Sequence, residues 1–203
     1  MGTEVLAVDA ETPEASVLSR AAGVLEAGGL AAFPTETFYG LGASALDADA
    51  VRRVFALKGR PESRPLLVLV DGVLAAERIA EVPPHARALM ERYWPGALTL
   101  VLRARPIVPD EVTAGTGTVG VRVPAHAVAR GLARALGRPV TAPSANPTGA
   151  PPPTTADEVR RYFDGRLPLV LDGGPTPGGL PSTVLDVTVD PPRLLRAGAV
   201  HVT

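Results

Sequence analysis

Short apolar runs alternate with amphipathic stretches along almost the whole chain, and this alternation most constrains the fold. Glu4–Asp9 reads as a strand. The next segment reads as a helix capped by Thr12, with Pro13 at its first position and Gly28-Gly29 closing it. Val17, Leu18, Ala21 and Leu25 share one face of that helix. Leu30–Phe33 is a short buried strand, and Pro34–Gly42 reads as a loop. Asp47 caps a second helix, striped by Val51, Val54 and Phe55 and ending at Lys58-Gly59. Strands are predicted over Leu66–Val70, Leu98–Leu102, Val119–Val123, Val140–Ala142, Leu169–Asp172, Thr183–Val187 and Arg193–Leu195. Helices are predicted over Leu74–Glu81, His85–Tyr93 and Val128–Leu136. A last one follows the capping box of Thr155 and Glu158. Strands and helices intermingle to the end, so the expected class is α/β with a twisted, mixed sheet and flanking helices. With 203 residues and no dividing linker, one domain over 1–203 is expected.

Composition narrows the partners. The formal net charge is -1, so no global field draws the chain to nucleic acid, and any anion site must be local. Cysteine is absent, which excludes disulfides and thiolate metal sites and favours a reducing compartment. MGTEVLAVDAETPEAS lacks the basic and apolar regions of a signal peptide, and no run approaches a membrane span. A cytoplasmic enzyme is the expectation. Nineteen arginines accompany a single lysine, Lys58. Asn146 is the one asparagine, glutamine is absent, and there are 22 prolines. Depletion of labile residues with proline-rich loops points toward a thermophile.

Several familiar motifs are excluded by context. GTGTVG at Gly115–Gly120 has the glycine spacing of a dinucleotide loop, yet VRVP follows it where a helix should begin. No phosphate-binding GxxxxGK[ST] exists, and Ser144 lacks a nucleophile elbow. His85, His126 and His201 have no metal-ligand spacing, so no metal site is expected.

KGRPESRP at Lys58–Pro65 is different. It sets Lys58, Arg60 and Arg64 within seven residues, between a helix and a buried strand, in a loop stiffened by Pro61 and Pro65. Three positive charges so held suit a triphosphate, although a solvated basic loop has the same composition. The lone lysine favours the first reading. This sequence uses arginine for every other basic need, so ammonium at Lys58 marks a place where a compact point charge is wanted. The lone asparagine lies in PSANPTG, a polar loop after an apolar strand. PTETFYGLG supplies Thr35, Thr37 and Tyr39 hydroxyls, with Glu36 as its carboxylate. Arg122 interrupts an apolar strand, Val119, Val121 and Val123, where an arginine either faces solvent or is aimed at a carboxylate or phosphate. Thr118, Ser182 in GGLPST and Arg196 in LLRAG complete the polar candidates.

In order, PTETFYGLGA, AVRRVFALKGRPESRPLLVLV, RYWPGALTLVL, TVGVRVPAH, TAPSANPTGA, LPSTVLDV and LLRAGAV resemble the YrdC family from about Leu30 to Ala199. The resemblance implies a YrdC-like fold with a concave basic surface. It also implies an activity, L-threonylcarbamoyladenylate synthesis from L-threonine, bicarbonate or CO2, and ATP, with release of pyrophosphate. A separate transferase complex would carry the threonylcarbamoyl group to an adenosine beside the tRNA anticodon. Mg2+ is expected to arrive on the ATP phosphates.

Motif by motif, the resemblance implies that Thr37, Arg122, Ala142 and Ser182 contact threonine. It likewise implies that Lys58, Arg60, Arg64, Thr118, Ser144, Asn146 and Arg196 contact ATP, with Lys58 and Arg60 as the catalytic pair. A histidine that some relatives carry after KGRP is replaced by Leu69. Longer relatives continue into a second domain, so a chain ending at Thr203 is expected to be the short form. The competing class is an RNA-binding module holding tRNA or double-stranded RNA through phosphates, with weak direct tRNA contact as its mildest form. Net charge -1 and 4% aromatic residues argue against it.

Overall fold

The structure is a computed structural model that describes residues 2–202. Ten strands and seven helices are found among them. One sheet has four strands in the order β1-β8-β2-β3. Here β1 is Glu4–Ala7, β8 Leu169–Asp172, β2 Ala31–Phe33 and β3 Gly40–Gly42. The other has six in the order β10-β9-β5-β6-β4-β7. Here β10 is Arg193–Arg196, β9 Thr183–Asp186, β5 Leu98–Arg103, β6 Thr118–Arg122, β4 Leu67–Leu69 and β7 Val140–Thr141. Both sheets mix parallel and antiparallel pairs, as the intermingled elements predicted.

Two differences from the sequence reading have local causes. Helix α1 (Ala15–Glu26) starts after Glu14, not after Thr12. The Asp9 carboxylate accepts from the backbone N–H groups of Glu11 and Thr12, so this stretch is spent in an Asx turn before the helix begins. Gly40–Gly42, read as loop, is β3, paired antiparallel with β2. Its two glycines concealed the strand pattern, and at Gly42 the packing leaves no room for a side chain. A Cβ at Gly42 would lie 2.7 Å from Phe33 Cε1 and 2.9 Å from Val140 Cγ1.

β3 also joins the two sheets. Leu41 N–H donates to Pro143 O at 2.7 Å, Ala145 N–H to Tyr39 O at 2.8 Å and Thr141 N–H to Ala43 O at 3.0 Å. The PTET and PSAN segments are thereby stitched side by side. A larger core packs helices α2 (Ala48–Lys58), α3 (Val73–Ile79), α4 (Pro84–Tyr93) and α7 (Ala156–Phe163) against the sheets. A second core lies around α1 and α6 (Ala127–Leu136), through Leu18, Leu25, Val128 and Leu132. No helix among the described residues is long and apolar enough to cross a membrane.

Candidate functional site

The six-stranded sheet alternates sides with period two, and this decides what faces the site. Val68, Leu100, Val119 and Val121 turn into the larger core. Leu67 and Leu69, Thr99 and Val101, and Thr118, Gly120 and Arg122 turn the other way and line a cavity of about 540 Å³. The register sets Gly120 between Leu67 on one side and Val101 on the other. Gly120 has no side chain to fill the middle of this floor. Arg122 is thus an arginine among valines only in linear sequence, because its strand neighbours face the core.

Lys58 reaches the cavity by the geometry of α2. Val51, Val54 and Phe55 are buried on one stripe, and Lys58 continues it one turn further. The side chain is therefore carried inward and is 4% exposed. Gly59, with φ 58°, closes the helix and turns the chain into the KGRPESRP loop. Lys58 Nζ donates to the backbone carbonyls of Ser144 and, at 2.6 Å, Asn146. Thr148 N–H returns a bond to Lys58 O at 2.7 Å. Lysine and the PSAN loop thus hold each other. Burial, and secondarily the charge of Arg60, pushes the Lys58 ammonium down to about 8.

The loop also folds on itself. Arg60 donates through Nε to Arg64 O at 3.3 Å and through Nη2 to Pro65 O at 2.8 Å. Burial, then the charge of Arg64, lowers the Arg60 pKa.

Across the cavity, Thr35 and Thr37 hydroxyls lie 3.0 Å apart. Glu36 between them points elsewhere. Its Oε1 stands 2.6 Å from Arg122 Nη2 and accepts from Ala125 N–H at 2.9 Å. Arg122 Nε donates to Gly96 O at 3.0 Å. Burial alone would raise the Glu36 carboxyl, but the Arg122 charge and the hydrogen bonds prevail and its pKa is lowered. Ser182 Oγ lies 3.0 Å from Thr99 Oγ1, and Arg196 donates from Nη2 to Ser182 Oγ at 3.0 Å and to Ser182 O at 2.8 Å. Burial, then the Arg122 charge, lowers the Arg196 pKa.

Nine of the eleven candidates from sequence line this one cavity. Thr37, Arg122, Ala142 and Ser182 meet Lys58, Arg60, Thr118, Ser144 and Arg196 there. The other two do not line it. Arg64 is exposed and offers only its carbonyl to Arg60. Asn146 is turned into its own loop, its Nδ2 donating to Pro147 O and Ala150 O, with Oδ1 buried and without a hydrogen-bond partner. Thr99 escaped the sequence reading. A lone hydroxyl within the apolar strand Leu98–Leu102 is the signal that marks it.

Four cationic side chains therefore line one cavity, and among the described residues no carboxylate does. Such a site takes a polyanion.

Comparison with known proteins covers nearly the same extent of the chain. The Sua5/YciO/YrdC family model, described as "Telomere recombination", matches residues 23–198. The threonylcarbamoyl-AMP synthase of Pyrococcus abyssi is 49% identical over 181 residues, 89% of this chain and 53% of that protein. Its namesake in Bacillus subtilis is 45% identical over 185 residues, 90% of this chain and 54% of that one. The chain thus spans about half the length of these two relatives. The crystal structure of P. abyssi Sua5 complexed with L-threonine superposes with a TM-score of 0.93 at 47% identity, covering 97% of this chain and 58% of that one. A family-model match over residues 23–198, on a fold that superposes with a TM-score of 0.93, establishes that the chain belongs to the Sua5/YciO/YrdC family.

Proposed function

We propose that this protein is an L-threonylcarbamoyladenylate synthase, condensing L-threonine, CO2 or bicarbonate, and ATP, with pyrophosphate as the second product. One observation carries the reading: Lys58, Arg60, Arg122 and Arg196 line a single cavity of about 540 Å³ that is large enough for two small substrates together. The relatives' names and the threonine bound to P. abyssi Sua5 support it.

The chemistry needs positioning more than covalent help. The neutral amine of threonine adds to CO2 and loses a proton, giving a carbamate. A carbamate oxygen then attacks the α-phosphorus in line, forming the P–O bond as the bond to pyrophosphate breaks. Holding the reactants together replaces an improbable encounter. Lys58 and Arg60 stabilise charge on the α-phosphate and the departing pyrophosphate. Thr118, Ser144 and Arg196 are assigned to the nucleotide side, and Asn146 and Arg64 would act there from outside the cavity lining. Thr37, Arg122, Ala142 and Ser182 form the threonine side.

Mg2+ would enter on the triphosphate, because the described residues include no group of three His, Asp or Glu side chains that would hold it. The product would pass to a tRNA threonylcarbamoyl-transferase in the cytoplasm. The cations lining the site turn inward, which suits a small polyanion better than an RNA backbone.

The protein incubated with ATP, bicarbonate and each amino acid in turn should release pyrophosphate with threonine and form its acyl-adenylate. Pyrophosphate release that ignores threonine and bicarbonate would overturn the proposal.

Lys58 gives the reaction a pH signature. Its folded pKa of about 8 lies below the ordinary 10.5, so the native state loses this proton first. The burial cost it imposes on the fold is present below pH 8 and is relieved as pH rises toward 10.5. Activity should move the opposite way. In the free enzyme, kcat/KM for ATP falls as pH rises through about 8. A bound triphosphate favours the ammonium, so the alkaline limb of kcat lies at higher pH. Coincident limbs in a pH–rate series would count against Lys58 as the phosphate contact.

A further inference from the structure

We propose that Glu36 is a positioning residue for amino-acid recognition: it holds the Arg122 guanidinium in the orientation that meets the substrate carboxylate. The inference rests on the reading of Arg122 as a threonine-side contact and adds the device that aims it.

Thr35 and Thr37 line the cavity while Glu36, between them, does not. Its carboxylate approaches Arg122 from behind the site, Oε1 to Nη2 at 2.6 Å. On the same guanidinium, Nε donates to Gly96 O at 3.0 Å. An ion pair from the PTET segment, in which Nη2 makes no hydrogen bond of good geometry, and a hydrogen bond to a carbonyl from the loop before β5 thus constrain the group from two sides. With the covalent link through Cδ, these contacts limit how the guanidinium can tilt, and its tilt decides whether it meets a carboxylate with two donors.

The carboxylate is itself fixed. Oε1 accepts from Ala125 N–H at 2.9 Å, three residues beyond Arg122 on the same chain segment. Arg122 is 4% exposed, so little solvent competes for it.

The second oxygen tells the same story. Glu36 Oε2 is buried and has no hydrogen-bond partner. A neutral amide would keep the Ala125 bond through its carbonyl oxygen but would lose the charge that faces Arg122. The negative charge answers Arg122. The other titratable group nearby is His126, whose Nδ1 accepts from Val128 N–H, so the ring is occupied with capping α6.

The test is steady-state kinetics on Glu36→Gln, which keeps the shape and the Ala125 bond and removes the charge. KM for L-threonine should rise about tenfold, with KM for ATP within about twofold of wild type. In an Arg122→Lys background the same substitution should raise KM for threonine by less than about twofold further, because Glu36 acts through Arg122. An unchanged threonine KM, equal rises for both substrates, or fully additive effects would each overturn the proposal. If Glu36→Gln fails to fold, Glu36→Asp retains charge but withdraws it by one methylene, and a folded Asp variant must show the same selective rise. Loss of folding in both variants assigns Glu36 to the fold and overturns the proposal as well. A wild-type protein without threonine-dependent turnover would instead sink the functional reading itself, so the two failures are distinguishable.

Discussion

Lys58→Ala should reduce threonine-dependent pyrophosphate release at least about a hundredfold, which is about 2.7 kcal/mol of transition-state stabilisation. Two losses coincide. The charge proposed to meet the phosphates disappears, and so do the bonds from Nζ to the carbonyls of Ser144 and Asn146. The PSAN loop then loses its tie to α2, although Thr148 N–H still reaches residue 58 O. The global fold should survive, since the stripe of Val51, Val54 and Phe55 remains.

Lys58→Arg is the sharper variant. A tetrahedral ammonium on a thin stem meets two carbonyls with donors to spare for a phosphate. A planar fork is bulkier and directs its donors in one plane. At a site 4% exposed, the added volume forces a shift of the loop, costing about 1–3 kcal/mol. A loss of at least about tenfold in rate is expected. Wild-type turnover by Lys58→Arg would refute this geometric account while leaving the family membership untouched.

Arg122→Ala should raise KM for threonine by about a hundredfold and also destabilise the protein. Removing one member of a buried ion pair leaves the other charge uncompensated, at a cost of about 3 kcal/mol, or about 6–12 °C in Tm for a chain of this size. The pH dependence identifies the cause. In the wild type Arg122 outweighs burial and keeps the Glu36 pKa lowered, so this contribution to stability is present above the ordinary carboxyl pKa and is lost as pH falls through the folded value. Without Arg122, burial dominates and the Glu36 pKa rises. The variant then regains stability on acidification, and the Tm gap between the two proteins should narrow from neutral toward acid pH. A gap that is constant with pH would show that the loss comes from packing and not from the stranded carboxylate.

Much of the architecture was legible because short-range chemistry encodes it. Asp47 caps α2 by accepting from Ala50 N–H, and Thr155 caps α7 by accepting from Glu158 N–H, both as residue type and spacing require. Gly137 closes α6 in the left-handed conformation. Where local rules compete, the reading slipped. Thr12 is an acceptable cap by residue type, but it sits in the Asp9 turn and the helix begins only after Glu14. The glycines of β3 look like loop residues until Phe33 and Val140 are seen to crowd them.

The candidate site divides in the same way. Scarce residue types, the apolar periodicity of the strands and α2, and the order of the motifs are all readable from neighbours along the chain. They single out Lys58 as the one ammonium and Arg122 as an arginine on an apolar strand. What these charges face depends on contacts between distant segments. Residues 86 positions apart must meet before Lys58 has carbonyls to hold, and 26 separate Arg122 from Gly96. Register selects Thr118, Gly120 and Arg122 for the cavity face and sends the valines between them to the core. Partner identity, depth of burial and the pairing with Glu36 depend on the packing of distant segments, so side chains alike in the linear sequence, such as Arg64 and Arg122, end in opposite environments.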